Sequence, residues 1–287
     1  MDLLKATDTA QALEFLSRHP DARVIAGGTD IIIKLRKKKL TADALVDVSD
    51  LAQLKGVSET AGVWTIGAAA TLADLLASPM GEELKGLKKA AHTLGSPQIR
   101  NTATTGGNIC NSSPAADMVP PLLALEARLN ILSLTEGDVS ERQLPLHEFF
   151  TGKGQNVLQR DELLLSIEFD ALPEHSFLAF EKLGLREAVA ISRICLAVCI
   201  SFSGDTVKKC RIASGSLGET GLREYQTEEF LTGKPLTEET MAEAARTLTK
   251  AAQARLAGRS TLPFKEKAVQ GVLQHALNDI ITRRQTP

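Results

Sequence analysis

Two short stretches carry the residue types that recognise an anion: AGGTD at 26–30 and TTGGNICNSSP at 104–114. Each joins two glycines to threonine and a short polar residue. A backbone that must bring several N–H groups against a phosphate has no room for β-carbons there, and it often needs a positive φ, which glycine tolerates. One such loop alone is more often a tight strand-to-helix turn. Two of them, each flanked by hydroxyls that can donate further hydrogen bonds, suit a pyrophosphate gripped from both sides. Neither loop has the spacing of the G-x-G-x-x-G fingerprint or of the G-x-x-x-x-G-K-[ST] phosphate loop, so Rossmann and Walker architectures find no support.

The elements that must position these loops follow a mixed pattern in three pieces, 1–55, 56–172 and 173–287. TDTAQALEFLSRHP offers N-cap candidates at Thr7 and Asp8, apolar positions at Ala10, Leu13 and Leu16, and a stop at Pro20, which predicts a short amphipathic helix. ARVIAGGTDIIIKLRKKK reads as strand, glycine turn and helix, and ADALVDVSD as another strand, a βαβ-like unit. The helix after the first loop should add partial positive charge at its N-terminus. Its basic run KLRKKK, at 34–39, is either a solvated face or a docking patch. GVWTIGAAATLADLLAS predicts strand then helix, GEELKGLKKAAHTLG a helix leading to the second loop, and ADMVPPLLALEARLNILSL a short helix into a strand. Two more strands end in DELLLSIEFD. After ALPEH come three strands, SFLAFEKLG, ISRICLAVCISF and TVKKCRIASGSL, and then helices, an α+β arrangement.

Bulk properties exclude several classes. The 287 residues are 43% hydrophobic, enough for two or three small domains with a sizeable core. Lys and Arg number 33 against 35 Asp and Glu, and one Trp and one Tyr leave little for base stacking, so nucleic acid is a poor partner. No apolar run reaches the roughly 18 to 20 residues of a spanning helix, and MDLLKATDTA lacks the regions of a signal peptide. A cytoplasmic location is expected. Cys110, Cys195, Cys199 and Cys210 form no CxxC pair and read as small core residues, with no iron–sulfur or zinc site in this chain. Period two sets Cys195 and Cys199 on one face of a buried strand.

VIAGGTDIIIKLRKKK, SPQIRNTATTGGNICNSSPAADMVPPLLALEARL and DELLLSIEFD, in this order and spacing, resemble the FAD-binding medium subunit of the molybdenum hydroxylases, the family of bacterial xanthine dehydrogenase and aerobic carbon monoxide dehydrogenase. The resemblance covers nearly the whole chain. It implies a two-subdomain FAD-binding fold of the vanillyl-alcohol-oxidase/MurB type followed by a smaller α+β C-terminal domain. Under it, Ile25, Ala26, Gly27, Gly28, Thr29, Asp30, Ile31 and Ile32 wrap the FAD pyrophosphate, and Thr104, Thr105, Gly106, Gly107 and Asn108 close on it. Asp117 matches an acidic residue that helps hold the ribose and phosphate region, though aspartate there could equally cap the following helix. Leu164 matches an apolar contact of the isoalloxazine ring, or is core filling. Lys182 matches a basic residue at the ring's pyrimidine end, or is a solvated strand residue. Phe264 and Lys265 stand where many relatives carry tyrosine and arginine.

The resemblance also implies partners: a small subunit with 2Fe-2S clusters and a large subunit with the molybdenum cofactor (molybdopterin), with electrons reaching FAD here and leaving to NAD+ or another acceptor. No catalytic residue and no metal ligand is expected in this chain. Two other readings stay open: a stand-alone FAD-dependent oxidoreductase of the same fold, and a nucleotide-binding protein without a redox role.

Overall fold

The computed structural model describes residues 2–186 and 189–285. Its first sheet is small and wholly parallel, with β1 (Asp2–Lys5) and β2 (Arg23–Ile25) on either side of β3 (Ala44–Asp47). Parallel neighbours need crossovers, and α1 (Thr9–Arg18) and α2 (Ile31–Arg36) lie in them. Asp8 caps α1, its Oδ1 accepting from the Gln11 amide at 2.8 Å. The buried stripe is Ala12, Leu13 and Leu16; Ala10, expected inside, faces solvent. β1 is not apparent in the sequence, because a four-residue, largely exposed strand has no period to show. At six residues α2 is also too short to give the first loop the helix-end charge expected of it.

The second sheet is antiparallel, in the order β4-β5-β10-β6-β7, with β4 (Val57–Thr60), β5 (Val63–Gly67), β6 (Arg128–Thr135), β7 (Asp138–Pro145) and β10 (Leu163–Asp170). A short hairpin of β8 (Phe150–Gly152) and β9 (Gln155–Asn156) stands beside it. Five helices fall between β5 and β6: α3 (Leu72–Ala77), α4 (Lys85–Thr93), α5 (Pro97–Arg100), α6 (Thr105–Cys110) and α7 (Val119–Ala124). The helix predicted from Gly81 onward begins as a separate 3-10 turn, Glu82–Leu84, before α4.

The third sheet, β11-β12-β13-β14, is antiparallel and comprises β11 (Ser176–Leu183), β12 (Ile194–Ser203), β13 (Thr206–Gly215) and β14 (Leu222–Arg223). Three helices close the chain: α8 (Tyr225–Leu231), α9 (Glu238–Arg255) and α10 (Leu262–Gln285). β12 is buried on both faces. Cys195, Ala197 and Cys199 face the core shared with the first two sheets, whereas Ile194, Leu196, Val198 and Ile200 face a second core. That core is completed by α9 and by the α10 stripe of Val269, Val272, Leu273, Ala276, Leu277 and Ile280. The third sheet therefore fastens the carboxy-terminal helices to the part of the molecule that carries both glycine loops. Among the described residues no helix is long and apolar enough to cross a membrane.

Candidate cofactor-binding cleft

The first loop runs from the end of β2 into α2. The amide N–H groups of Gly27, Gly28, Thr29 and Asp30 have no acceptor among the described residues. Gly28 adopts φ +69°, which a β-carbon would strain, and the side chains of Ile25 and Ile32 close on it from behind. Gly27 is restricted by space instead: a β-carbon there would stand 1.7 Å from the Thr102 carbonyl oxygen. At this glycine the first lobe touches the second.

The second loop is built differently, and the symmetric grip expected from the two glycine pairs is not what the backbone shows. Thr104 caps α6, accepting from the Gly107 amide at 3.0 Å through Oγ1 and from the Asn108 amide at 3.0 Å through its carbonyl. The Thr105 and Gly106 amides donate at 3.0 Å to the carbonyls of Ala70 and Ala68. Its N–H groups are thus already engaged, apart from that of Thr104. Gly106 is needed for close approach, since a β-carbon would come within 2.6 Å of the Ala68 oxygen. The Oγ1 of Thr105 is buried without a hydrogen-bond partner among the described residues.

Between the loops lies a cleft of about 330 Å³. Ala26, Gly27, Gly28, Thr29, Asp30 and Ile31 line it from the first lobe, and Thr104, Gly107 and Asn108 from the second. Lys34, Cys110 and Asn111 also line it, and the sequence did not single them out as site residues. Lys34 leaves the solvated face expected for the basic run: half-buried, it donates across the cleft to Asn111 Oδ1. Burial pushes the Cys110 thiol up to about 12, so it stands in the wall as a neutral group.

Asp117, Leu164 and Lys182 do not line this cleft. Asp117 does not cap α7, which has no side-chain cap; it is buried and paired with Lys182 at 2.5 Å. Ser192 donates to the other carboxylate oxygen, and the Lys182 ammonium also donates to the Thr93 carbonyl at 3.1 Å. Burial pushes the Asp117 carboxyl up from its ordinary value, opposed by the charge and hydrogen bond of Lys182 and by Ser192. Lys182 is accordingly not a solvated strand residue. Leu164 is buried in β10 opposite Ile131, just before a register irregularity. Lys265 donates to the Ser216 carbonyl, Ser216 Oγ to the Ser192 carbonyl at 3.0 Å, and Ser192 to Asp117, linking α10 to the buried pair.

Residues 1–171 match the family described as the FAD binding domain in molybdopterin dehydrogenase, and residues 179–280 match the carbon monoxide dehydrogenase flavoprotein C-terminal domain. The chain is 32% identical over 281 residues to the putative xanthine dehydrogenase FAD-binding subunit of Escherichia coli K12, covering 96% of this chain and 94% of the relative. It is 33% identical over 284 residues to the nicotinate dehydrogenase FAD-subunit of Eubacterium barkeri, with the same coverage. Its fold superposes on a chain of carbon monoxide dehydrogenase from Hydrogenophaga pseudoflava with a TM-score of 0.91 at 26% identity, covering 99% and 98% of the two chains. Together with a cleft walled by two glycine loops, these likenesses establish that the chain belongs to the FAD-binding medium subunits of the xanthine dehydrogenase and carbon monoxide dehydrogenase family.

Proposed function

We propose that this subunit receives electrons onto FAD from the 2Fe-2S clusters of a small partner, fed by a molybdopterin-containing large partner, and passes them to NAD+ or another acceptor. The observation that carries the reading is the row of four unpartnered amides, Gly27 to Asp30, at the mouth of the cleft. These residues are half-buried or, at Asp30, exposed, so the amides stay open to an incoming ligand and fit the anionic oxygens of a diphosphate. Bound there, FAD supplies a reversible two-electron acceptor.

The chain's own residues hold it in unequal ways. The first loop supplies donors, while the second, pinned to Ala68 and Ala70, supplies a rigid wall. The assignment of Asp117, Leu164 and Lys182 to the rest of the cofactor rests on the family resemblance. The Hydrogenophaga structure is of a carbon monoxide dehydrogenase that lacks the Mo-pyranopterin moiety of the molybdenum cofactor. Among the described residues of this chain, no group of three or more His, Cys, Asp or Glu could hold a metal. Four free thiols suit a reducing, cytoplasmic setting.

An absorbance spectrum with metal analysis of the purified complex tests the proposal. FAD in this chain, with molybdenum and iron in the copurifying subunits, is the expected result. Flavin without partners, reduced by substrate in this chain alone, would establish the stand-alone oxidoreductase. Absence of flavin would leave a nucleotide-binding protein.

A further inference from the structure

We infer that Lys34 is a diphosphate-binding residue, held ready over the cleft by Asn111. This inference rests on the FAD reading above and adds a residue to it. Lys34 projects from the second turn of α2 into the cleft that the four free amides face, and its ammonium donates to Asn111 Oδ1, contributed by the other lobe 77 residues later.

The choice of partner is the chemical point. An amide oxygen holds an ammonium in place without cancelling its charge, whereas a carboxylate would cancel it. Lys34 makes no ion pair among the described residues, although Asp30 stands four residues before it on the same segment and also lines the cleft. Most other buried or half-buried cations of this chain that bond across long sequence distances do so to carboxylates: Lys182 to Asp117, Lys89 to Glu181, Arg211 to Glu126 and Arg255 to Glu224. Lys34 is therefore a half-buried positive charge that lacks its anion, set beside donors that lack their acceptor. A ligand with two adjacent phosphates completes both. Lysine binds such groups as a point charge and needs no fixed orientation, so exchanging Asn111 for a phosphate oxygen requires only rotation of its flexible stem.

The test uses the full chain, stripped of flavin and titrated with FAD at low salt and at about 1 M salt, where the screening length falls to roughly 3 Å. Lys34→Met should raise the FAD Kd about ten- to hundredfold at low salt, as expected for one charge-assisted contact, with the deficit narrowing at high salt. Lys34→Arg should stay near the parent value. Asn111→Asp, which leaves the lysine but sets a carboxylate against it, should weaken FAD as Lys34→Met does. The inference is overturned if Lys34→Met binds FAD like the parent at low salt. It is equally overturned if Lys34→Arg loses as much as Lys34→Met, or if the loss is the same at both salts, since each marks a packing role. If the parent chain binds no FAD at all, the functional reading itself fails and the inference with it.

Discussion

Gly27→Ala and Gly107→Ala are the same chemical change at two glycines of one cleft, yet their consequences should differ. At Gly27 the new carbon meets the Thr102 backbone at 1.7 Å, so the two lobes must separate; at Gly107 it meets only the Thr104 hydroxyl at 2.8 Å. Gly27→Ala should cost about 1 to 3 kcal/mol of stability and most of the bound FAD. Gly107→Ala should cost less on both counts. Denaturant titration and flavin occupancy check the order, and equal losses would refute it. The Lys182 and Asp117 pair makes a second case. Both side chains are nearly inaccessible, at 8% and 4% exposure, so Lys182→Met leaves a carboxylate buried without its cation. A loss of about 3 to 5 kcal/mol is expected, most of it regained in the double variant with Asp117→Asn. A loss below about 1 kcal/mol would mean that the pair behaves as a solvated one. Gly28 was legible in the sequence because its positive φ is a local need, whereas the crowding of Gly27 by Thr102 and of Gly106 by Ala68 comes only with the fold. The partners of Asp117 and Lys34 were not, since each lies on an element brought near only by the fold.

Helices and strands with a clear period could be read from the sequence, and elements defined by their neighbours could not. ISRICLAVCISF reads as a buried strand, and β12 places Cys195 and Cys199 on one face, as period two requires. The strand-turn-helix through the first loop is likewise present. β1 escaped because pairing with β3, rather than its own pattern, makes it a strand. The break before α4 escaped because the apolar spacing of the segment continues through it. α3 shows an element setting a loop. Thr71 Oγ1 accepts from the Asp74 amide at 3.0 Å and Asp74 Oδ2 accepts from the Thr71 amide at 2.9 Å, a reciprocal cap. The next amide, that of Leu72, donates to the Ala103 carbonyl just before the second glycine loop. Thr71→Ala should lower stability by about 1 kcal/mol while leaving FAD stoichiometric, because Thr105 and Gly106 keep their own bonds to Ala70 and Ala68. Thermal melts of the loaded protein check this; flavin loss at unchanged stability would show that the cap acts on the loop directly.

The whole molecule depends on how the last sheet is fastened to the cleft-bearing part, and Glu126 is one of its fastenings. It follows α7 at φ 56°, the position where a helix ending of this kind usually has glycine: Ala127 N–H donates to Leu122 and Glu126 N–H to Leu123. A glutamate in that strained place reaches the third sheet. Its carboxylate accepts from Lys209 at 3.0 Å and Arg211 at 2.7 Å, with Arg223 at 3.5 Å. Partial burial pushes the carboxyl up, but the hydrogen bonds from Lys209 and Arg211 outweigh it and hold the pKa at about 2, against an ordinary 4.5. The folded chain thus takes up this proton less readily than the unfolded one. The stability it contributes is complete above pH 4.5 and is lost as the pH falls towards 2. Glu126 is 47% exposed, so solvent screening keeps the effect modest. Glu126→Gln preserves the shape and the φ angle and removes the charge. Its Tm should lie below the parent's at pH 7, with the gap closing as the pH falls from 4.5 towards 2, because the parent then loses the same charge by protonation. Comparing the two proteins cancels the other titrating carboxylates. A Tm difference that stays constant between pH 7 and pH 2 would show that packing around this turn, and not the charge on Glu126, holds the third sheet in place.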